Sequence, residues 1–128
     1  FLSKYIFLIE DIAKTFPGKV GYYSKGKNFE NIYTLFNFPF AGIGIDHTIS
    51  IQDSFSSYKQ GFIQGNFDEN NLLLEADQLS KKLDKYCDEV KSISDLSGWV
   101  CGLGHGINKN TPEKNVHLFI DIIRKRFS

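Results

Sequence analysis

Apolar residues fall along this chain in two spacings, helical runs of i, i+3, i+4 and short continuous strand-like stretches. Tyr5, Leu8, Ile9, Ile12 and Phe16 recur at helical spacing, and Pro17-Gly18 breaks the pattern. Lys19-Val20-Gly21-Tyr22-Tyr23 follows as a β-prone run, closed by the polar turn Ser24-Lys25-Gly26-Lys27. Phe29, Ile32, Tyr33 and Phe36 predict a second helix ending near Pro39. Gly42-Ile43-Gly44-Ile45 predicts a strand that stops at Asp46-His47-Thr48, and Ile51, Phe55 and Tyr58 a short helix after it. A third strand, Gly61-Phe62-Ile63-Gln64, runs into Gly65-Asn66-Phe67-Asp68. Leu79, Leu83, Tyr86, Cys87 and Val90 trace one face of a helix whose other face carries Lys, Asp and Glu. The fourth strand starts at Gly98 and ends in the glycine-flanked histidine of Gly102-Leu103-Gly104-His105-Gly106. In the last helix Val116, Phe119, Ile120, Ile123 and Phe127 share a side, with Thr111 expected as N-cap and Pro112 in the first turn.

Strict alternation of helices with apolar strands predicts an α/β fold, about four parallel strands covered by helices. All four strand exits are polar or glycine-rich, and in such folds ligands are met at the carboxyl ends of strands. That layout belongs to a (β/α)8 TIM-type barrel, which typically needs about 250 residues. The 128 residues here predict its C-terminal half, a single partial barrel domain over residues 1–128. A small doubly wound sheet is the competing architecture. Either way, His105 sits at a strand tip and is the first functional candidate.

Composition narrows the classes. With 41% hydrophobic and 23% charged residues the chain is ordinary for a globular domain, and 15 basic residues balance 15 acidic ones. No whole-chain field gathers nucleic acid or an anionic membrane. Arg124-Lys125-Arg126 reads as the cation-rich last turn of a helix. Cys87 and Cys101 are too few and too far apart for a disulfide framework or a zinc knuckle, and suit core thiols in a reducing compartment. No stretch approaches the roughly 20 apolar residues of a membrane span. The opening run from Phe1 to Glu10 is interrupted by charge and reads as a helix rather than a signal sequence. The chain contains no methionine, so the expectation is that something precedes Phe1.

Several segments together carry a resemblance. Gly102-Leu103-Gly104-His105-Gly106 followed by Thr111-Pro112-Glu113-Lys114-Asn115-Val116 resembles the carboxyl-terminal signature of uroporphyrinogen decarboxylases, Leu-Gly-His-Gly and then Thr-Pro-x-x-Asn-Val. Gln64-Gly65-Asn66-Phe67-Asp68 is similar to that family's Gln-Gly-Asn-Leu-Asp-Pro loop. Gly44-Ile45-Asp46-His47-Thr48 resembles its Gly-Leu-Asp-Trp-Thr strand end, and Tyr23-Ser24-Lys25-Gly26 its Phe-Ser-Lys-Gly turn. The likeness runs over essentially the whole chain and corresponds to the carboxyl-terminal third of a family member. It implies a (β/α)8 barrel enzyme of haem and porphyrin biosynthesis, a lyase that removes the carboxyl groups of the four acetate side chains of uroporphyrinogen III to give coproporphyrinogen III. It also implies no metal or organic cofactor, a homodimer for the full-length protein, and a cytoplasmic setting with a plastid one not excluded. Of the family's site residues only the histidine has a counterpart, His105; the paired arginines, the aspartate, the tyrosine and the serine lie before the first matching motif, so the isolated chain is expected to be incomplete for catalysis. Three positions depart from the pattern: His47 stands for Trp, Glu69 for Pro, and Gly102 for Asn, this last expected to loosen the surroundings of His105.

Acetate decarboxylation on a pyrrole needs a protonated ring as electron sink and polar groups to hold several carboxylates. An imidazole suits the second task at neutral pH, so His105 is assigned to substrate binding, against the alternative of a structural strand-end histidine. No residue is assigned to catalysis. Lys25, Asp46, Gln64 and Asn66 are candidates to line the cavity. Against this, Lys25 fits a solvated turn, and Asp46 a loop cap, since neighbours on a strand such as Asp46 and His47 point to opposite faces. Gly104 and Gly106 suit a tight turn rather than a phosphate cradle. Cobamide-dependent methyltransferases are a second resemblance on the same fold, but their His-x-Cys zinc pair is absent. A non-catalytic half-barrel that docks on a partner through its open edges is the third reading.

Overall fold

The computed structural model of the chain describes residues 2–23, 25–26 and 39–128. Helix α1 (Leu2–Thr15) leads to strand β1 (Gly21–Tyr23), and β2 (Gly42–Gly44), α2 (Ile51–Ser57) and β3 (Phe62–Gln64) follow. A 3-10 turn (Glu69–Leu73), α3 (Ala76–Lys91), β4 (Trp99–Val100) and α4 (Glu113–Phe127) complete the order. The helix expected over residues 29–36 lies outside the described residues.

The strands pair in chain order, β1-β2-β3-β4, and every pairing is parallel. A doubly wound sheet reverses its strand order at a switch point, whereas a barrel sheet runs sequentially. Here nothing reverses, so the α/β fold is part of a (β/α) barrel and the doubly wound alternative falls. Register alternates the two faces. Tyr22, Ile43, Ile63 and Trp99 form one row across the sheet, and Tyr23, Gly44, Gln64 and Val100 the next. The first row turns its isoleucines into the core beneath the helices, while Tyr23 and Val100 in the second stay 48% and 40% exposed on the barrel's inner face.

Strand β4 is shorter than the apolar run predicts. Backbone bonds nonetheless continue past it, from Gly65 N–H to the Val100 carbonyl and Phe67 N–H to the Gly102 carbonyl, each at 3.2 Å, and from Gly104 N–H to the Phe67 carbonyl at 2.7 Å.

Ile43, Ile45, Ile63, Leu72, Leu79, Leu83 and Val90 are essentially sealed from water between sheet and helices. Each such side chain contributes about 1.5–3 kcal/mol by leaving water. Phe67 joins three elements, its ring 5.4 Å from Tyr86 on α3 and 5.6 Å from Phe119 on α4. Helix α2 begins where the Ser50 hydroxyl accepts the Asp53 N–H at 3.2 Å. Ala13 and Phe40 form a second, smaller cluster with Ile6, Ile9, Val20 and Tyr22.

The start of α4 corrects one expectation. Pro112 occupies the N-cap position and the Thr111 hydroxyl, buried, bonds nothing among the described residues. What fastens this end is Asn115, whose amide donates to the Leu72 carbonyl at 2.8 Å and the Leu74 carbonyl at 2.9 Å. Asn115→Ala leaves both carbonyls without that donor inside the fold, and is expected to lower stability by about 2 kcal/mol in chemical denaturation. An unchanged midpoint would contradict this anchoring.

Candidate functional site

A cleft of about 520 Å³ opens on the inner face of the sheet at the carboxyl ends of the strands. Each strand or its exit loop contributes to the wall: Tyr23 from β1, Gly44 and Ile45 from β2, Gln64 from β3, and Leu103, Gly104 and His105 beyond β4. Glycines at 21, 42 and 44 keep the floor low, so Phe62 and Tyr23 lie across it. The tip of β4 reaches this position because Gly104 has no side chain: a Cβ there would stand 2.8 Å from the His47 backbone nitrogen. Close approach, rather than the turn expected from the paired glycines, is what Gly104 serves; at Gly106 nothing lies within 4 Å. The Tyr23 hydroxyl donates to the Gly104 carbonyl at 2.7 Å and ties β1 to the same tip. Desolvation, with the charges of Asp46 and Glu69 behind it, pushes the Tyr23 phenol above its ordinary value, so it stays a donor at neutral pH.

Of the residues singled out from sequence, His105 and Gln64 border the cleft, both exposed. Gly102 bears on Gln64 rather than on His105, since a Cβ there would stand 3.2 Å from Gln64 Cγ. Lys25 is exposed on its turn, outside the cleft lining. Asp46 and Asn66 turn away from the cleft into the loops behind it. Asp46, 2% exposed, accepts the Gly26 N–H on Oδ2 at 2.6 Å and the Thr48 N–H and hydroxyl on Oδ1 at 2.9 and 2.5 Å. Burial pulls its carboxyl upward, but the Thr48 hydroxyl, the Gly26 and Thr48 N–H groups and nearby His47 together hold it below the ordinary range. The Asn66 amide donates to the Ile49 carbonyl at 2.5 Å and the Asp46 carbonyl at 3.3 Å, while its own N–H is accepted by the Tyr86 hydroxyl at 3.1 Å. These bonds fix the exits of β2 and β3 relative to α3. Asn66 also borders a second groove, of about 360 Å³, between α2 and α3.

Tyr23 and Phe62 are cleft residues that sequence reasoning passed over. Their position one or two residues before the polar exits was the available signal, because inner-face side chains alternate with core ones. A further grouping is made by His47, Asp68 and Glu69, whose ligand atoms lie within 4.8 Å of one another. Neither cysteine lines the cleft or joins this grouping. Cys87 is buried, and burial beside it pushes the Cys101 thiol up to about 11, which keeps it protonated at neutral pH.

Comparison with known proteins adds the following. A family profile described as Uroporphyrinogen decarboxylase (URO-D) matches residues 4–126. A uroporphyrinogen decarboxylase of Orientia tsutsugamushi (strain Ikeda) is 28% identical over 87 residues, which cover 68% of this chain and 25% of that protein. One from Hydrogenobaculum sp. is 24% identical over 120 residues, covering 93% of this chain and 33% of that protein. Another, from Methylibium petroleiphilum, is 34% identical over 61 residues. The chain thus spans between a quarter and a third of the length of the first two relatives. No helix among the described residues is long and apolar enough to cross a membrane.

Proposed function

This chain belongs to the uroporphyrinogen decarboxylase family, and from that premise we propose that it supplies the carboxyl-terminal wall of a tetrapyrrole cleft, in a carboxy-lyase that removes the acetate carboxyl groups of uroporphyrinogen III. One observation carries the reading: β1, β2 and β3 and the loop that leaves β4 line one cleft, with His105 on its wall. Its volume, about 520 Å³, is in the range of small-molecule sites. His105 hydrogen-bonds a substrate carboxylate, and the Gln64 amide offers a second donor from the adjacent strand. The Tyr23 hydroxyl, engaged with Gly104, holds the tip that presents His105. In the reaction the pyrrole ring takes a proton, the carboxylate leaves as carbon dioxide while its bonding electron pair enters the ring, and the exocyclic methylene carbon is then protonated as the ring gives up its added proton, leaving a methyl group. This chain's part is to fix the carboxylates so that the reacting one is aligned. Residues 1–128 form one partial barrel domain, and the exposed inner-face Tyr23 and Val100 are covered by the rest of the barrel in a cytoplasmic, homodimeric whole.

The test fuses the chain to the amino-terminal portion of the Hydrogenobaculum relative that it does not match. Conversion of uroporphyrinogen to coproporphyrinogen is expected from the fusion and not from the 128-residue chain. Within the fusion, His105→Ala removes a charged hydrogen bond and is expected to weaken kcat/KM about ten- to a hundredfold. Turnover by the chain alone, or a fusion indifferent to His105→Ala, contradicts the reading.

A further inference from the structure

We propose that His47, Asp68 and Glu69 form a divalent-cation site of the zinc class where the exits of β2 and β3 meet. His47 lies in the loop that leaves β2, and Asp68 and Glu69 open the 3-10 turn that leaves β3. His47 Nδ1 stands 3.8 Å from Asp68 Oδ1 and 3.9 Å from Glu69 Oε2. Both separations are beyond hydrogen-bond reach. They suit donors arranged around an ion instead: ligand atoms about 2.1 Å from tetrahedral zinc stand about 3.4 Å apart, and the three donor atoms lie within 4.8 Å of one another, so closure needs shifts of up to about 1.4 Å.

Glu69 supplies the independent sign. The residue is 6% exposed, and its Oε2, aimed at His47, is sealed from water and accepts no hydrogen bond among the described residues. A carboxylate oxygen buried without a donor is unfavourable, and a cation between it and the imidazole relieves that. Asp68 Oδ1, the atom facing His47, also accepts the Asn70 N–H and side-chain amide, each at 3.0 Å, as the cap of the 3-10 turn, which fixes where that oxygen stands. One imidazole nitrogen with two carboxylate oxygens is a zinc-type donor set, whereas calcium and magnesium favour oxygen alone. Three protein donors leave a tetrahedral position for water.

His47 and Glu69 are two of the three positions where this chain departs from the family pattern, and the fold brings them together with Asp68, which follows it. The site therefore belongs to this chain's own residues, and it stands or falls independently of the decarboxylase reading. Its effect is to clip two strand exits beside the candidate cleft.

Calorimetric titration of the metal-free 128-residue chain with zinc chloride at neutral pH tests it, alongside His47→Gln, Glu69→Gln and Cys101→Ser. One zinc per chain is expected, unchanged by Cys101→Ser and weakened about tenfold or more by each of the other two. His47 is exposed, so His47→Gln keeps the fold even where Glu69→Gln disturbs it, and circular dichroism checks both. No binding by the unmodified chain overturns the site. So does equal affinity in His47→Gln, or a loss confined to Cys101→Ser.

Discussion

Gly65→Ala is expected to destabilise the fold by about 3 kcal/mol or more. Two causes act together. Gly65 has a φ of +131°, a conformation that a side chain strains. A Cβ at that position would also run into the Ile45 carbonyl oxygen, a backbone atom that cannot swing aside. Relief requires moving β2 away from β3, which breaks the Ile45 N–H bond to the Gln64 carbonyl, 2.9 Å long, and disturbs Asn66 next door. Gly106→Ala is the matched control: its surroundings are open within 4 Å, and its expected cost is within about 0.5 kcal/mol. Equal denaturation midpoints for the two variants would contradict the packing described for the β2 and β3 exits.

The second large effect is at Asp46, where alanine is expected to cost about 3 kcal/mol. The carboxylate accepts from Gly26 N–H, Thr48 N–H and the Thr48 hydroxyl, and hydrogen bonds to a charged group contribute about 1.5–3 kcal/mol each before any local rearrangement. Its removal frees the 25–26 turn from the β2 exit. A pH dependence follows from the same bonds. The folded carboxyl titrates below its unfolded value of about 3.9, so its contribution is fully present above that pH and is lost as pH falls through the depressed folded value. The stability gap between the unmodified protein and Asp46→Ala is therefore expected to stay flat near neutrality and to shrink only in acid below about pH 4. A gap that widens in acid, or an alanine variant as stable as the parent at pH 7, would remove Asp46 as the fastening of this loop.

Much of the architecture was legible in the chain. Period-3.6 apolar spacing located α1, α3 and α4, and the isoleucines at 43 and 63 marked strands because continuous apolar runs belong to sheets buried by helices. Strand order was not, since local pattern carries no information about which strand pairs with which. Spacing places Thr111 at the cap because composition cannot tell which residue's backbone turns helical first; here Glu113 does, after an extended Pro112, and Asn115 anchors the helix end through contacts 43 and 41 residues away. At the site, His105 and Gln64 could be named from their position at strand ends. Asp46 and Asn66 look like cavity residues in sequence, yet their side chains satisfy loop backbone, a partnership decided by three-dimensional closure. The meeting of His47 with Glu69 was equally hidden, because the two lie on different exits and only the parallel pairing of β2 with β3 brings them close.

The most direct measurement is nuclear magnetic resonance of the histidine rings during titration with uroporphyrin, the aromatic octacarboxylate analogue of the proposed substrate. His105 signals are expected to shift saturably with ligand, while those of His117, exposed on the outer face of α4, remain still. A His105 ring that ignores the porphyrin while other residues respond would contradict the assignment of the cleft.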